Sequence, residues 1–359
     1  MEVTIVSTRS NHEANGVKSP FFSICVPCYN AGDALQGCLS SIAAQDYDDY
    51  EVVVIDDGSQ DPVQCDDYDN LGLTCLRVIR IENSGPYAAR RIAFDSARGE
   101  VLLCVDADDG FADDRALFAI RQVFRDINPD VVLFNATCDG VNRFLDFSAL
   151  EVEDGYLNPR SVNRVFATDY CLNSLWSKAF KRKLYATGQE GAELPRLLMA
   201  EDRLQSLEII ANAGSFALMD EPLYFYRENA GSTTHSSYKP EYFFQSCYVE
   251  ERVWGMLDDL GVRPEDWAVF FLKQISSSLQ GICCNRDLSR SQRHEVYKLM
   301  SKEPCLLAAF RYGNAGILPF PMRVKLALLR EQRYSLLDAC MFPRAAGSFV
   351  KHVTISARV

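Results

Sequence analysis

Two acidic turns, each set at the end of an apolar run, carry the first chemical signal in this sequence. Residues 101–105 run straight into Asp106-Ala107-Asp108-Asp109, and residues 51–55 into Asp56-Asp57-Gly58-Ser59-Gln60-Asp61. Two carboxylates held close together are costly to ionise at once unless a cation neutralises them. Hard divalent cations such as Mg2+ and Mn2+ take oxygen ligands, often one or two carboxylates plus the phosphates of a substrate. Asp106-Ala107-Asp108 is therefore a candidate cation site, although a D-x-D alone is more often an ordinary acidic turn. The Asp56-Asp57 turn reads either as an Asx-turn after a strand or as a carboxylate that accepts an N–H from a nucleobase. A third pair, Glu201-Asp202, opens an apolar helical stretch. The macrodipole favours acids at a helix start, so a capping role and a proton-accepting role both stand here.

The elements that position these groups follow from periodicity. Residues 21–27 (FFSICVP) form an apolar run closed by Pro27, followed by the loop Cys28-Tyr29-Asn30-Ala31-Gly32. Leu35, Cys38, Leu39 and Ile42 then recur at helical spacing. Strands are expected at 51–55, 76–81, 101–105 and 131–134, and helices at 85–97 and 114–127. Strands alternating with helices predict an α/β fold, a Rossmann-like, mixed but mostly parallel sheet flanked by helices. In open sheets of this kind ligands bind outside the carboxyl ends of the strands, so both acidic turns are expected to face one pocket. From about 140 to 230 the rhythm is less regular, and from 238 the chain reads as a helical C-terminal region.

The chain as a whole sets bounds. Its 359 residues are 48 % hydrophobic and 24 % charged, an ordinary globular composition. A net charge of −12 argues against nonspecific nucleic-acid binding. Among the 13 cysteines, Cys25, Cys104 and Cys138 lie in or beside apolar runs, where free cysteine behaves as a small hydrophobe. An odd count fits a reducing cytoplasm, and Cys25-Val26-Pro27-Cys28 reads as structural. Residues 1–20 are polar and are expected to be a flexible leader; no apolar run is long enough to predict a transmembrane helix. Residues 319–359 hold seven Lys/Arg against two acids, a net of +5. They read as a solvated helix face or as a peripheral contact with an anionic membrane surface.

Taken in order, the motifs resemble family 2 glycosyltransferases of the GT-A fold, of the bacterial polysaccharide type. Val26-Pro27-Cys28-Tyr29-Asn30 resembles the family's V-P-x-Y-N, and Ile55 to Asp61 its I-D-D-G-S-x-D. Asn83-Ser84-Gly85 with Ala89-Arg90 resembles N-x-G-x-x-x-A-R, and Val105 to Asp109 resembles L-D-x-D-D. Trp176-Ser177-Lys178 with Lys181-Arg182, Ala200-Glu201-Asp202, and Tyr226-Arg227 with Gly231-Ser232 resemble the later signatures. The likeness spans residues 21–237, read as a nucleotide-binding half (21–110) and an acceptor half (111–237), with 238–359 as the helical region. Arg91 and Ser177 stand where the family usually has Asn.

The resemblance implies an inverting, metal-dependent transfer of a sugar from a nucleotide donor, a UDP-sugar, to a hydroxyl of a glycan or lipid-linked acceptor. Pro27, Tyr29, Asn30, Asp57, Arg90, Asp106 and Ala107 are implied at the nucleotide, Asp108 at Mn2+ or Mg2+, and Asp202 as the base. Trp176 reads more readily as core than as a sugar platform. Lys178 either binds donor phosphates or coats a surface. Glu201 serves either capping or chemistry. Arg227 and Ser232 read as part of a flap, with His235 near the metal or simply on the surface. Two other classes compete. A nucleotidyltransferase would want a basic, Gly-rich phosphate loop, but residues 27–33 (PCYNAGD) contain no Lys or Arg. A non-catalytic nucleotide- or glycan-binding module would have no need of Asp57, Asp106, Asp108 and Asp202 together.

Overall fold

In the computed structural model the apolar runs become strands of one twelve-stranded sheet. It describes residues 4–10, 19–73, 75–138, 141–142, 145–153, 155–185, 196–227 and 238–341. The order of elements is β1 (Thr4–Ser10), β2 (Phe22–Cys28), α1 (Asp33–Ala43), β3 (Tyr50–Asp56), β4 (Cys75–Arg80), α2 (Pro86–Ser96), β5 (Val101–Cys104), β6 (Gly110–Phe111), α3 (Ala116–Asp126) and β7 (Val131–Cys138). There follow β8 (Val141–Asn142), β9 (Val152–Glu153), β10 (Tyr156–Leu157), α4 (Pro159–Thr168), β11 (Lys178–Lys181), α5 (Glu201–Ala211) and β12 (Phe216–Tyr226). Helices α6 (Pro240–Asp259), α7 (Pro264–Cys284), α8 (Arg290–Met300), α9 (Pro304–Tyr312), α10 (Phe320–Arg330) and α11 (Tyr334–Met341) complete it.

The sheet runs β1-β4-β3-β2-β5-β11-β7-β12-β10-β9, with β6 on β12 and β8 on β7. Strands β4, β3, β2 and β5 are parallel, as are β7 and β12, while β11 is antiparallel to both β5 and β7. Because β5 and β11 pair, one sheet crosses both of the halves expected from sequence. Every residue of β3 is buried, as its unbroken β-branched run predicts for a central parallel strand. Beneath it, Ser23 Oγ donates to Glu51 Oε1 at 2.7 Å and Arg77 Nη1 to Glu51 Oε2 at 3.1 Å. This satisfies a carboxylate that burial would otherwise make costly.

Two expectations are corrected. The loose leader contains an element, since Thr4–Ser10 pairs antiparallel with β4. The outer edge of β4 offers unpaired backbone groups, and the β-branched run Thr4-Ile5-Val6 suits a strand there. The break into a helical region also moves. One unit comprises residues 1–162 with 174–229, and the other residues 163–173 with 230–359. In the helical unit, α7 buries Trp267, Phe271, Ile275, Leu279 and Ile282, and Trp267 Nε1 donates to the buried Glu250 at 2.9 Å. None of the 13 cysteines is paired in a disulfide. Among the described residues no helix is long and apolar enough to cross a membrane.

Candidate active site

The first two strand ends are stitched together by backbone. Asn30, at φ 50°, donates its N–H to Ser59 Oγ at 2.9 Å, and its Oδ1 accepts from Gln60 N at 2.8 Å. The two acids after β3 divide their work. Asp56 is fully buried, pairs with Arg80, and accepts Ser59 N at 2.9 Å and Val63 N at 3.2 Å, which makes it the Asx-turn. Asp57 accepts Ser84 N at 2.6 Å and Gly85 N at 2.9 Å. Burial pushes its carboxyl above the ordinary range, and the two N–H donors oppose that shift. Gly58 between them has φ 76°, and a Cβ there would lie 2.9 Å from Asn83 N, so only glycine allows this approach. Tyr29 leaves 54 % of its surface exposed at the same edge. Pro27 is half-buried beside it.

The turn after β5 holds Asp106 and Asp108 half-open, with Ala107 and Asp109 buried. Asp109 anchors this turn. Its Oδ2 accepts the Tyr224 hydroxyl at 2.8 Å and its Oδ1 the Arg227 N–H at 2.9 Å. Tyr224 also accepts the Asp106 N–H at 3.1 Å, so one phenol ties both acids to the end of β12. Burial, with Asp106 and Asp108 adding repulsion, pushes the Asp109 carboxyl up to about 8. Replacing Tyr224 by Phe removes this tie and leaves a buried carboxylate short of a donor. The expected loss is about 2 kcal/mol of unfolding free energy, measured by urea titration. A Tyr224→Phe protein with an unchanged midpoint would show that the phenol does not hold the turn.

Arg90 brings the remaining acids together. It projects from α2, is buried, and places Nη2 3.2 Å from Asp106 Oδ1 and Nη1 3.2 Å from Glu201 Oε1. The same Nη1 pairs closely with Asp202 Oδ1. Both acids of that pair open α5, directly after Ala200 at φ 62°. Withdrawal from water pushes the Asp202 carboxyl up to about 7; Arg90 and Lys178 pull it down, while Glu201 and Asp106 raise it. Its side chain keeps 32 % of its surface open, so it is reachable. A base with a pKa near neutrality is well matched to accepting a proton at pH 7.

Several sequence expectations are placed differently. Lys178 does not coat a surface. It is fully buried in β11, and its Nζ donates to Ser174 O and, at 3.4 Å, to Ser177 Oγ. Trp176 belongs to the core, as the sequence reading favoured, stacked on Tyr224 at 4.8 Å and 14°. Arg90 pairs with Asp106, another of the residues expected at the nucleotide, as well as with Glu201 and Asp202. Arg227 lies across α1, with Nη1 3.2 Å from where a Cβ on Gly37 would sit. Ser232 and His235 lie outside the described residues. Sequence reasoning gave no role to Asp109 or Tyr224. The alternation of Tyr224 and Tyr226 on one strand was the available signal. Two concavities, of about 530 and 450 Å3, lie away from these acids, around Glu100 and Arg182 at the amino ends of the strands.

The donor set suits a hard divalent cation. Asp106 and Asp108 offer carboxylate oxygens in one half-open turn while Asp109 is sealed behind them. Among the described residues no three His, Cys, Asp or Glu side chains converge to hold a metal.

A mostly parallel sheet with acidic turns at its carboxyl ends, continued by an antiparallel strand and helices, has the architecture of the GT-A fold. Residues 23–187, a little under half of the chain, match the model of glycosyl transferase family 2. The uncharacterized glycosyltransferase EpsJ of Bacillus subtilis is 24 % identical, over 79 % of this chain and 84 % of that protein. The poly(ribitol-phosphate) beta-N-acetylglucosaminyltransferase TarS of Staphylococcus aureus is 27 % identical, over 62 % of this chain and 39 % of that protein. The crystal structure of S. aureus TarS 1-349 in complex with UDP-GlcNAc superposes with a TM-score of 0.66 at 22 % identity, over 89 % of this chain and 90 % of that one. At that identity the likeness concerns the fold.

Proposed function

We propose that this chain is an inverting, divalent-metal-dependent transferase. It moves a sugar from a UDP-sugar to a hydroxyl of a cell-surface glycan or a lipid-linked glycoconjugate on the cytoplasmic side. The observation that carries the reading is the Arg90 bridge, which holds the strand-end Asp106 and the helix-start Asp202 on one guanidinium. A donor-side and an acceptor-side acid are thereby kept beside one another. Tyr29 offers an open aromatic face to a base, and Asp57, whose oxygens each accept one backbone N–H, has further lone pairs with which to accept a donor such as the N3–H of uracil. Asp106 meets the ribose. Asp108 holds the cation, which when bound supplies Lewis-acid stabilisation to the leaving diphosphate. Asp202 accepts the proton of the attacking hydroxyl, and attack from the face opposite the leaving group inverts the anomeric carbon. The UDP-GlcNAc complex of TarS and the polymer acceptor in that protein's name support the donor and acceptor classes.

A thermal-shift panel of UDP, GDP, CMP and dTDP, each with Mn2+, Mg2+ or EDTA, tests this reading. A ligand that binds only the folded state raises the melting temperature by mass action. UDP with a divalent cation should give the largest shift, EDTA should remove most of it, and Asp108→Ala should abolish the metal-dependent part. A larger shift with another nucleotide would reassign the donor. No shift with any of them would favour a non-catalytic binding module.

A further inference from the structure

Among the apolar side chains that the helical unit exposes, the two most open lie close together in sequence among basic residues. Ile317 and Phe320 are 65 % and 69 % exposed, with Pro319 and Pro321 exposed beside them. The backbone under them is ordered: Ile317 N donates to Asn314 O at 3.2 Å, Leu318 N to Ala315 O at 3.1 Å, and Met322 N to Pro319 O at 3.0 Å. Leu318 is buried and fastens the segment to the unit. The outward face of α10 then carries Phe320, Arg323, Ala327 and Arg330, all exposed and spaced i, i+3, i+7, i+10. Arg311, in the last turn of α9, and Arg333, just after α10, are exposed as well. Residues 311–333 hold five Lys/Arg and one acid, a net of +4 in a chain of net −12.

We propose that this patch docks on an anionic lipid surface. Ile317 and Phe320 enter the boundary between headgroups and acyl chains, and Arg311, Arg323, Arg330 and Arg333 meet the headgroups. Exposed apolar side chains mark an interaction site when they cluster, and the surrounding charge selects the occupant. A second copy of this chain would set one net-positive patch against another, which opposes association. An anionic bilayer supplies both the counter-charge and an apolar layer. The inference stands on the helical unit alone and does not depend on the sugar-transfer reading. It also narrows the membrane contact expected from residues 319–359 to a defined surface.

Flotation of the full chain with vesicles tests it. Phosphatidylcholine vesicles with about 30 % phosphatidylglycerol should carry the protein at low salt, high salt should release it, and phosphatidylcholine alone should not hold it. Ile317→Ser with Phe320→Ser should weaken partitioning by about 100-fold, and Arg323→Glu with Arg330→Glu should abolish it. Both pairs are exposed and remote from the core. An unchanged melting temperature and an unchanged UDP-dependent shift confirm that the variants fold. Flotation that persists in a protein giving no nucleotide shift would uphold this proposal while the catalytic reading fails. Absence of flotation by the wild-type chain, or variants that float as well as it does, would overturn the proposal. So would a concentration-dependent dimer that Ile317→Ser/Phe320→Ser dissolves.

Discussion

Asp202→Asn should lower the rate of sugar transfer by about 10²–10⁴, the range for loss of a positioned general base. Binding of UDP with a divalent cation should persist, because the acids expected at the donor are Asp57, Asp106 and Asp108. The substitution keeps the side chain's size and an oxygen for Arg90 Nη1, so the helix start is retained. What it removes is a group that can gain and lose a proton near neutrality. The wild-type kcat/KM should rise with pH through about 7, since the Asp202 carboxyl is pushed up to about 7 and only its ionised form accepts a proton. The variant should lose that limb. Steady-state kinetics from pH 5.5 to 8.5 measure both effects. Transfer by the Asn variant at the wild-type rate would remove Asp202 from the chemistry.

Much of this arrangement was legible because strand ends are written locally. The β-branched run 51–55 and the apolar run 101–105 each stop at an acidic turn, and both became strands with those turns at their carboxyl ends. The helices at 85–97 and 114–127 were found as α2 and α3 by their periodicity. What failed depends on distant partners. Strand β12 escaped notice because Asp220, Glu221 and Pro222 interrupt its pattern, where the register against β7 shifts between Met219 and Tyr224. The burial of Lys178, read from sequence as a phosphate ligand or a surface group, was hidden because nothing near it in sequence announces that β5 and β7 flank β11. The acids that Arg90 bridges on α5, Glu201 and Asp202, lie 111 and 112 residues away, and no local pattern announces them. Such pairing is decided by how helix and sheet pack, which periodicity does not encode.

That pairing makes Arg90 the position where a single substitution should act most broadly. Arg90→Gln leaves Asp106, Glu201 and Asp202 without their shared cation. Breaking a buried pair by removing one partner costs about 3–5 kcal/mol, and the low end applies here because Asp202 and Asp106 are partly open to water. Urea unfolding at pH 7.5 measures that loss. The effect on activity has a definite sign. Arg90 lowers the Asp202 carboxyl against the upward pull of burial. Without Arg90 the pKa of that carboxyl rises, and the rising limb of the kcat/KM profile should move to higher pH. Activity at pH 7 should then fall further than activity at pH 8.5. Arg90→Lys keeps the charge but loses the planar fork that reaches several carboxylates at once, so it should recover part of the pH shift and little of the stability. A structural role alone would lower activity equally at all pH values. A profile of unchanged midpoint in Arg90→Gln would mean that Arg90 braces the fold without setting the proton affinity of Asp202.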